Sequence, residues 1–173
     1  MWIADGWKEY EVIDCSGGEK LERWGDYLLV RPDPQVIWNT KKENEGWKHP
    51  NGHYHRSKKG GGEWEFFSLP KQWQIHYRDL IFHLKPFSFK HTGLFPEQAT
   101  NWDWFSAKIH SSNRPVKVLN LFAYTGGATW RPQKPEHRSL TWTHQRVWYP
   151  GQRRTRRLPV FQTHRYAGLW TTV

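Results

Sequence analysis

Residues 118–138, VLNLFAYTGGATWRPQKPEHR, constrain this chain more than any other stretch. The run Val116–Leu121, apolar apart from Lys117 and Asn120, reads as a strand buried on both faces of a parallel sheet. It leads into Thr125-Gly126-Gly127, where glycine lets the backbone turn sharply and a ligand approach without meeting a Cβ. In a doubly wound fold such a strand and elbow open onto a helix. Here they open onto Trp130-Arg-Pro-Gln-Lys-Pro135, and each proline removes a helical hydrogen-bond donor and clashes with the preceding turn.

The charge changes at the same place. The net charge of +10 divides unevenly: 130–173 holds nine Lys/Arg against the single acid Glu136, whereas the first 129 residues hold 17 basic and 15 acidic side chains. A nucleic-acid reading of the basicity therefore concerns the tail rather than the body. Prolines 132, 135, 150 and 159 and the arginines of 153–157 predict an irregular, disordered tail. No stretch approaches the roughly 18 apolar residues of a membrane span. The N-terminal Met-Trp-Ile-Ala-Asp-Gly lacks the basic and apolar regions of a signal peptide, so a cytoplasmic chain with no membrane partner is expected. The lone Cys15 excludes an intramolecular disulfide and an all-cysteine zinc site.

Within the body, Tyr10–Asp14, Lys20–Trp24 and Tyr27–Arg31 read as strands separated by Ser16-Gly17-Gly18 and Gly25-Asp26. Lys41–Gly62, polar and glycine-punctuated, is predicted to be a long exposed loop. Its His49, His53 and His55 have no cysteine or acid pair nearby in sequence and read as solvated, so no metal is assigned. Cys15 is read as a structural turn residue. Glu63–Leu69, Trp73–Tyr77 and Leu80–Lys85 continue the pattern as a meander on one aromatic core. Pro96 suits a first helical turn, and Ala99, Trp102, Phe105 and Ile109 follow at near-helical spacing, with Trp102 read as core. The expected fold is α/β: a small N-terminal β-rich domain over 1–86, the first strand and elbow of a Rossmann-like domain over 87–129, and an irregular tail over 130–173.

Three strings carry a resemblance. NLFAYTGG (Asn120–Gly127) resembles motif I of class I S-adenosylmethionine-dependent methyltransferases, in the branch related to bacterial 23S rRNA methyltransferases. FKHTGLFPEQATNW (Phe89–Trp102) resembles the segment just upstream, and GEKLERWGDYLLVRPDPQ (Gly18–Gln35) the β-rich N-terminal region of one subgroup. The resemblance implies methyl transfer with S-adenosylmethionine as cofactor and RNA as substrate. It implies that Asn120, Phe122, Ala123, Tyr124, Thr125, Gly126 and Gly127 wrap the methionine part of the cofactor. Phe95, Pro96 and Gln98 would line the same cleft. Asn120 stands where many members carry an acid, which implies a looser hold on the cofactor amino group.

What the family carries next is missing. An acid about 20 residues beyond the elbow takes the ribose hydroxyls, and a catalytic stretch, commonly Asp-Pro-Pro, follows later. Neither occurs after Gly127, so no catalytic residue is assigned. Reading the tail with one lost base restored alters this. Tryptophan is always TGG and threonine ACN, so Trp142-Thr143 conceals GAC, an aspartate 17 residues beyond Gly126, and Trp170-Thr171 conceals another. Trp148-Tyr149 conceals a valine. Among the permitted codons the tail becomes LAAAKAGASVTHVDASKGMVSWAKENA: an alanine-rich helix, a strand ending in aspartate and a second helix. Only the two aspartates and the valine are forced. The expectation is the truncated N-terminal portion of a methyltransferase, frameshifted after Thr129 and inactive as it stands. The competing expectation is a non-enzymatic RNA-binding protein with a basic C-terminal tail.

Overall fold

Two tight glycine turns set the first sheet. Gly17 and Gly18 take φ of 61° and 79°, and Gly25 takes 67°, left-handed values that strain a residue with a Cβ. They fold β1 (Tyr10–Ser16) onto β2 (Glu19–Trp24) and β2 onto β3 (Tyr27–Pro32), both antiparallel. The computed structural model describes residues 2–57, 60–87, 89–121, 128, 138–142 and 162–163. The chain divides into two compact units, Ala4–Pro96 and Met1–Ile3 with Glu97–Val173.

In the first unit β4 (Gly52–Arg56) joins β3 in parallel through Leu29↔Gly52 and Val30↔His53, and β5 (Gly62–Phe66) pairs antiparallel with β4. The sheet order is β1-β2-β3-β4-β5. A separate antiparallel pair, β6 (Trp73–Tyr77) and β7 (Leu80–Leu84), supplies Ile75, Tyr77 and Leu84 as fully buried side chains, alongside Leu21, Trp24 and Leu29 of the larger sheet.

Two expectations are corrected here. Lys41–Gly62 is not one long loop, because β4 lies inside it. Its sequence, Gly-His-Tyr-His-Arg, alternates buried Gly52 and Tyr54 with more exposed histidines, and histidine hides that period of two. Glu63–Leu69, Trp73–Tyr77 and Leu80–Lys85 also do not form one meander, since β5 pairs with β4 in the larger sheet while β6 and β7 form a separate pair. Asn51 fixes the entry to β4: its Oδ1 accepts from the Leu28 amide at 2.7 Å and its Nδ2 donates to Ser68 Oγ at 2.6 Å.

The second unit is α/β. A 3₁₀ turn at Pro96–Gln98 precedes α1 (Ala99–Ser111), whose Ala99, Trp102, Ser106 and Ile109 form a buried stripe while Trp104 is exposed. Asn113 ends the helical region at φ 51°, a left-handed conformation that asparagine tolerates. β8 (Lys117–Leu121) then pairs in parallel with β9 (Arg138–Trp142), from Lys117↔Arg138 to Leu121↔Trp142, and β10 (Gln162–Thr163) lies antiparallel on β9. The sequence reading assigns no strand beyond Thr129. Among prolines and arginines, the short Leu-Thr-Trp run of β9 carries the β-propensity. No helix among the described residues is long and apolar enough to cross a membrane.

The first unit also buries a charge. Glu22 is fully buried, and Arg31 reaches it with Nε to Oε2 at 2.6 Å and Nη2 to Oε1 at 2.9 Å. The Tyr10 hydroxyl donates to the same carboxylate at 2.8 Å and Lys20 Nζ lies 3.2 Å away. Burial raises the carboxyl pKa, but Arg31, Lys20 and the Tyr10 hydroxyl outweigh it and hold the group below its ordinary value. A carboxylate with a depressed folded-state pKa stabilises the fold above its unfolded pKa, and that stability is lost as pH falls through the folded value. Glu22→Gln is expected to cost about 3 kcal/mol at neutral pH, because Arg31 is left buried without its counter-charge. Urea denaturation measures this, and the variant should also lose less stability than the parent on acidification. An unchanged midpoint would remove the ion pair from the account.

Candidate cofactor-binding site

The segment before α1 is held by its backbone and by alternate side chains. The Lys85 amide donates to the Thr92 carbonyl at 3.3 Å and the Phe87 amide to the His91 carbonyl at 3.1 Å, and directly after this closed stretch Gly93 takes φ 97°. Leu94 and Pro96 are buried, and between them Phe95 is half-buried with its ring edge-on to His91 at 5.2 Å. The Pro96 carbonyl accepts from Trp7 Nε1 at 2.9 Å. Trp7 is itself packed against Tyr77, ring centroids 4.5 Å apart. Sequence reasoning missed Trp7, since nothing local links residue 7 to residue 96.

Of the ten residues assigned to the cofactor, four are described. Phe95 and Pro96 are adjacent in the first unit and share its anchoring. Gln98 begins the second unit's helix, exposed, and its Oε1 accepts from Asn101 Nδ2 at 2.9 Å, so its amide serves the first helical turn. Asn120 lies in β8, in register with Thr141. Phe122, Ala123, Tyr124, Thr125, Gly126 and Gly127 lie outside the described residues. β8 itself ends at Leu121, with β9 as its parallel partner. Open α/β sheets bind ligands outside the carboxyl ends of their strands.

Neither a family model nor a curated protein matches the chain. Solved structures do. A SAM-dependent methyltransferase from Agrobacterium tumefaciens superposes with a TM-score of 0.73 and 31% identity, over 81% of this chain and 45% of that one. The chain has the fold of SAM-dependent methyltransferases over the matched region. A second structure, from Streptococcus mutans and described as a SAM-dependent methyltransferase, matches at TM-score 0.53 and 16% identity, covering 81% of this chain and 40% of that one. It supports the methyltransferase fold alone. The chain spans less than half the length of either structure.

Other candidate residues fall outside the methyltransferase elbow. His53 and His55 are strand residues of β4, not loop residues, and acids do meet them: Glu19 at 2.7 Å from His53 and Glu65 at 2.8 Å from His55. Among the described residues no three His, Cys, Asp or Glu side chains are grouped to hold a metal. Cys15 lies in β1 rather than a turn; its amide donates to the Asp14 carboxylate at 2.8 Å and its carbonyl accepts from Trp38 Nε1 at 2.9 Å. A shallow pocket lined by Trp2, Thr100, Asn101 and Trp104 contains none of the ten assigned residues.

Trp7→Phe keeps most of the ring packing and removes the indole N–H bond to the Pro96 carbonyl. One intramolecular hydrogen bond contributes about 0.5–1.5 kcal/mol net, so chemical denaturation should show a loss in that range. A loss close to zero would mean that Trp7 holds Pro96 by packing alone.

Proposed function

We propose that this chain is the N-terminal portion of an S-adenosylmethionine-dependent methyltransferase acting on RNA, with a reading frame that departs from the family's after Thr129. The observation that carries the proposal is the parallel pair β8–β9 on either side of the elbow. β9 ends at Trp142, directly before Thr143, where the restored frame has its forced aspartate. The restored text for 138–142 is itself strand-like, Ser-Val-Thr-His-Val. A strand, a glycine elbow and a parallel second strand ending beside an acid are what a ribose-holding class I site needs. The identity with the Agrobacterium protein supports the same reading. RNA as substrate rests on the resemblance to the 23S rRNA branch.

The residues present fit the cofactor in part. Gly126 and Gly127 lack a Cβ and so suit close backbone approach by a ligand, and the resemblance assigns Thr125, Phe95 and Pro96 to the same cofactor. The ribose end does not fit, since Thr143 offers a hydroxyl where two hydroxyls call for a carboxylate. When bound, the cofactor supplies an electrophilic methyl group. The chain as written is therefore assigned no turnover.

Calorimetry with S-adenosylmethionine tests this on two proteins, the 173-residue chain and the chain with one nucleotide restored after the Thr129 codon. Saturable micromolar binding is expected only for the restored chain, weakened tenfold or more by Gly126→Val. Equal binding by both, or by neither, would contradict the proposal. The second reading, a non-enzymatic RNA binder, is favoured by the nine Lys/Arg and one acid of 130–173. It predicts RNA affinity that falls steeply with salt and survives Gly126→Val.

A further inference from the structure

At the outer edge of the larger sheet two exposed aromatic rings flank a half-buried one. β5 is an edge strand, and Phe66 at its end is 55% exposed. Trp64 stacks on Phe66 with an interplanar angle of 17° and centroids 6.1 Å apart, and meets Tyr54 behind it at 5.5 Å. Trp64 Nε1 also donates to the carbonyl of Phe89 at 3.1 Å, which brings a second exposed ring, Phe89 at 57%, beside the strand. From Phe89 the rings continue to His91 at 6.1 Å and on to Phe95. Monomeric proteins rarely leave such contiguous apolar surface without a use for it.

Lys90 follows Phe89 directly in sequence and Arg56 lies on β4 two residues beyond Tyr54, so both cations come from the ring-bearing segments. Lys90 Nζ donates to the Pro32 carbonyl at 3.1 Å, and Arg31 Nη1 donates to the Lys90 carbonyl at 2.9 Å. Arg56, at the end of β4, is exposed. Burial draws the Lys90 ammonium below its ordinary pKa, and the charges of Arg31, Lys20 and Arg56 add to this against the opposing pull of Asp33. Glu22 is committed to Arg31. Glu65, alternating with Trp64 and Phe66, lies on the opposite face with His55. Asp33 lies 3.7 Å from Lys20, so four cations (Lys20, Arg31, Arg56 and Lys90) stand against the two acids Glu22 and Asp33.

We propose that the ring-bearing face is a platform for single-stranded RNA, with Phe66, Trp64 and Phe89 stacking bases while Lys90 and Arg56 meet the phosphates. Every base has a π-face, so aromatic rings flanked by cations accept single strands without regard to sequence. A protein partner would also cover the rings, but the excess of cations over acids matches a polyanion better. The inference extends the RNA reading above to a specific surface of the first unit and leaves the cofactor elbow aside. A restored chain that fails to bind S-adenosylmethionine while the oligomer still binds would therefore overturn only the earlier reading.

The test uses the full 173-residue chain and a fluorescein-labelled oligouridine, with 4-thiouridine in the same oligomer for photocrosslinking. Phe66→Ala and Phe89→Ala are each expected to weaken binding by about fivefold or more, and Phe89→Tyr to keep it. Arg56→Ala should lower the salt slope by about one. Crosslinks should map to peptides containing Trp64–Phe66 and Phe89. Both rings are exposed, so folding should persist; if Phe66→Ala fails to fold, the Phe89→Ala and Phe89→Tyr pair decides. Binding that ignores the aromatic variants, with crosslinks confined to 130–173, would overturn the proposal and assign RNA affinity to the basic tail.

Discussion

A carboxylate removed from water must find its charge elsewhere, and Glu22 finds it in Arg31. The bidentate contact ties the middle of β2 to the end of β3. It also fixes the guanidinium so that its remaining N–H reaches the Lys90 carbonyl. Lys90 returns a hydrogen bond to the Pro32 carbonyl. One buried pair therefore anchors a segment far away in sequence to the centre of the sheet. Arg31 lies over the Trp24 ring at 5.0 Å as well, so the charge and the aromatic core are packed as one body.

That anchoring reaches the places where function is proposed. The segment held by Arg31 carries Phe89 on one side of Lys90 and His91, Leu94, Phe95 and Pro96 on the other. Fixing Lys90 presents Phe89 to Trp64. The turn at Gly93 and the Trp7 bond to Pro96 set Phe95 at the end of the same row. A charge pair that contributes little net stability by comparison with apolar packing can still specify where a surface is displayed.

Much of this was legible in the sequence, and the failures have physical causes. β1 to β3 could be read because glycines needing left-handed φ separate short branched and aromatic runs. α1 could be read because Pro96 and the spacing of Ala99, Trp102 and Ile109 agree. β4 could not, since its period of two is carried by Gly52, Tyr54 and two histidines inside a lysine- and glycine-rich stretch. β9 could not, because its neighbours carry prolines and arginines. At the site, only the resemblance pointed to Phe95 and Pro96. Trp7 and the Phe66–Phe89 platform depend on contacts between residues far apart in sequence, which no local pattern encodes.

The break after Gly127 is where sequence and fold disagree most. A parallel partner for β8 lies at 138–142 although the residues there are poor strand material by their surroundings. Sequencing the gene from the Val118 codon to beyond the stop tests the central claim most directly. One added base after the Thr129 codon is expected to open a longer frame. That frame should carry aspartate at the places of Thr143 and Thr171 and an Asp-Pro-Pro-like stretch further on. A stop within a few codons of Thr129 in that frame would contradict it, and the basic tail would then be the protein's own.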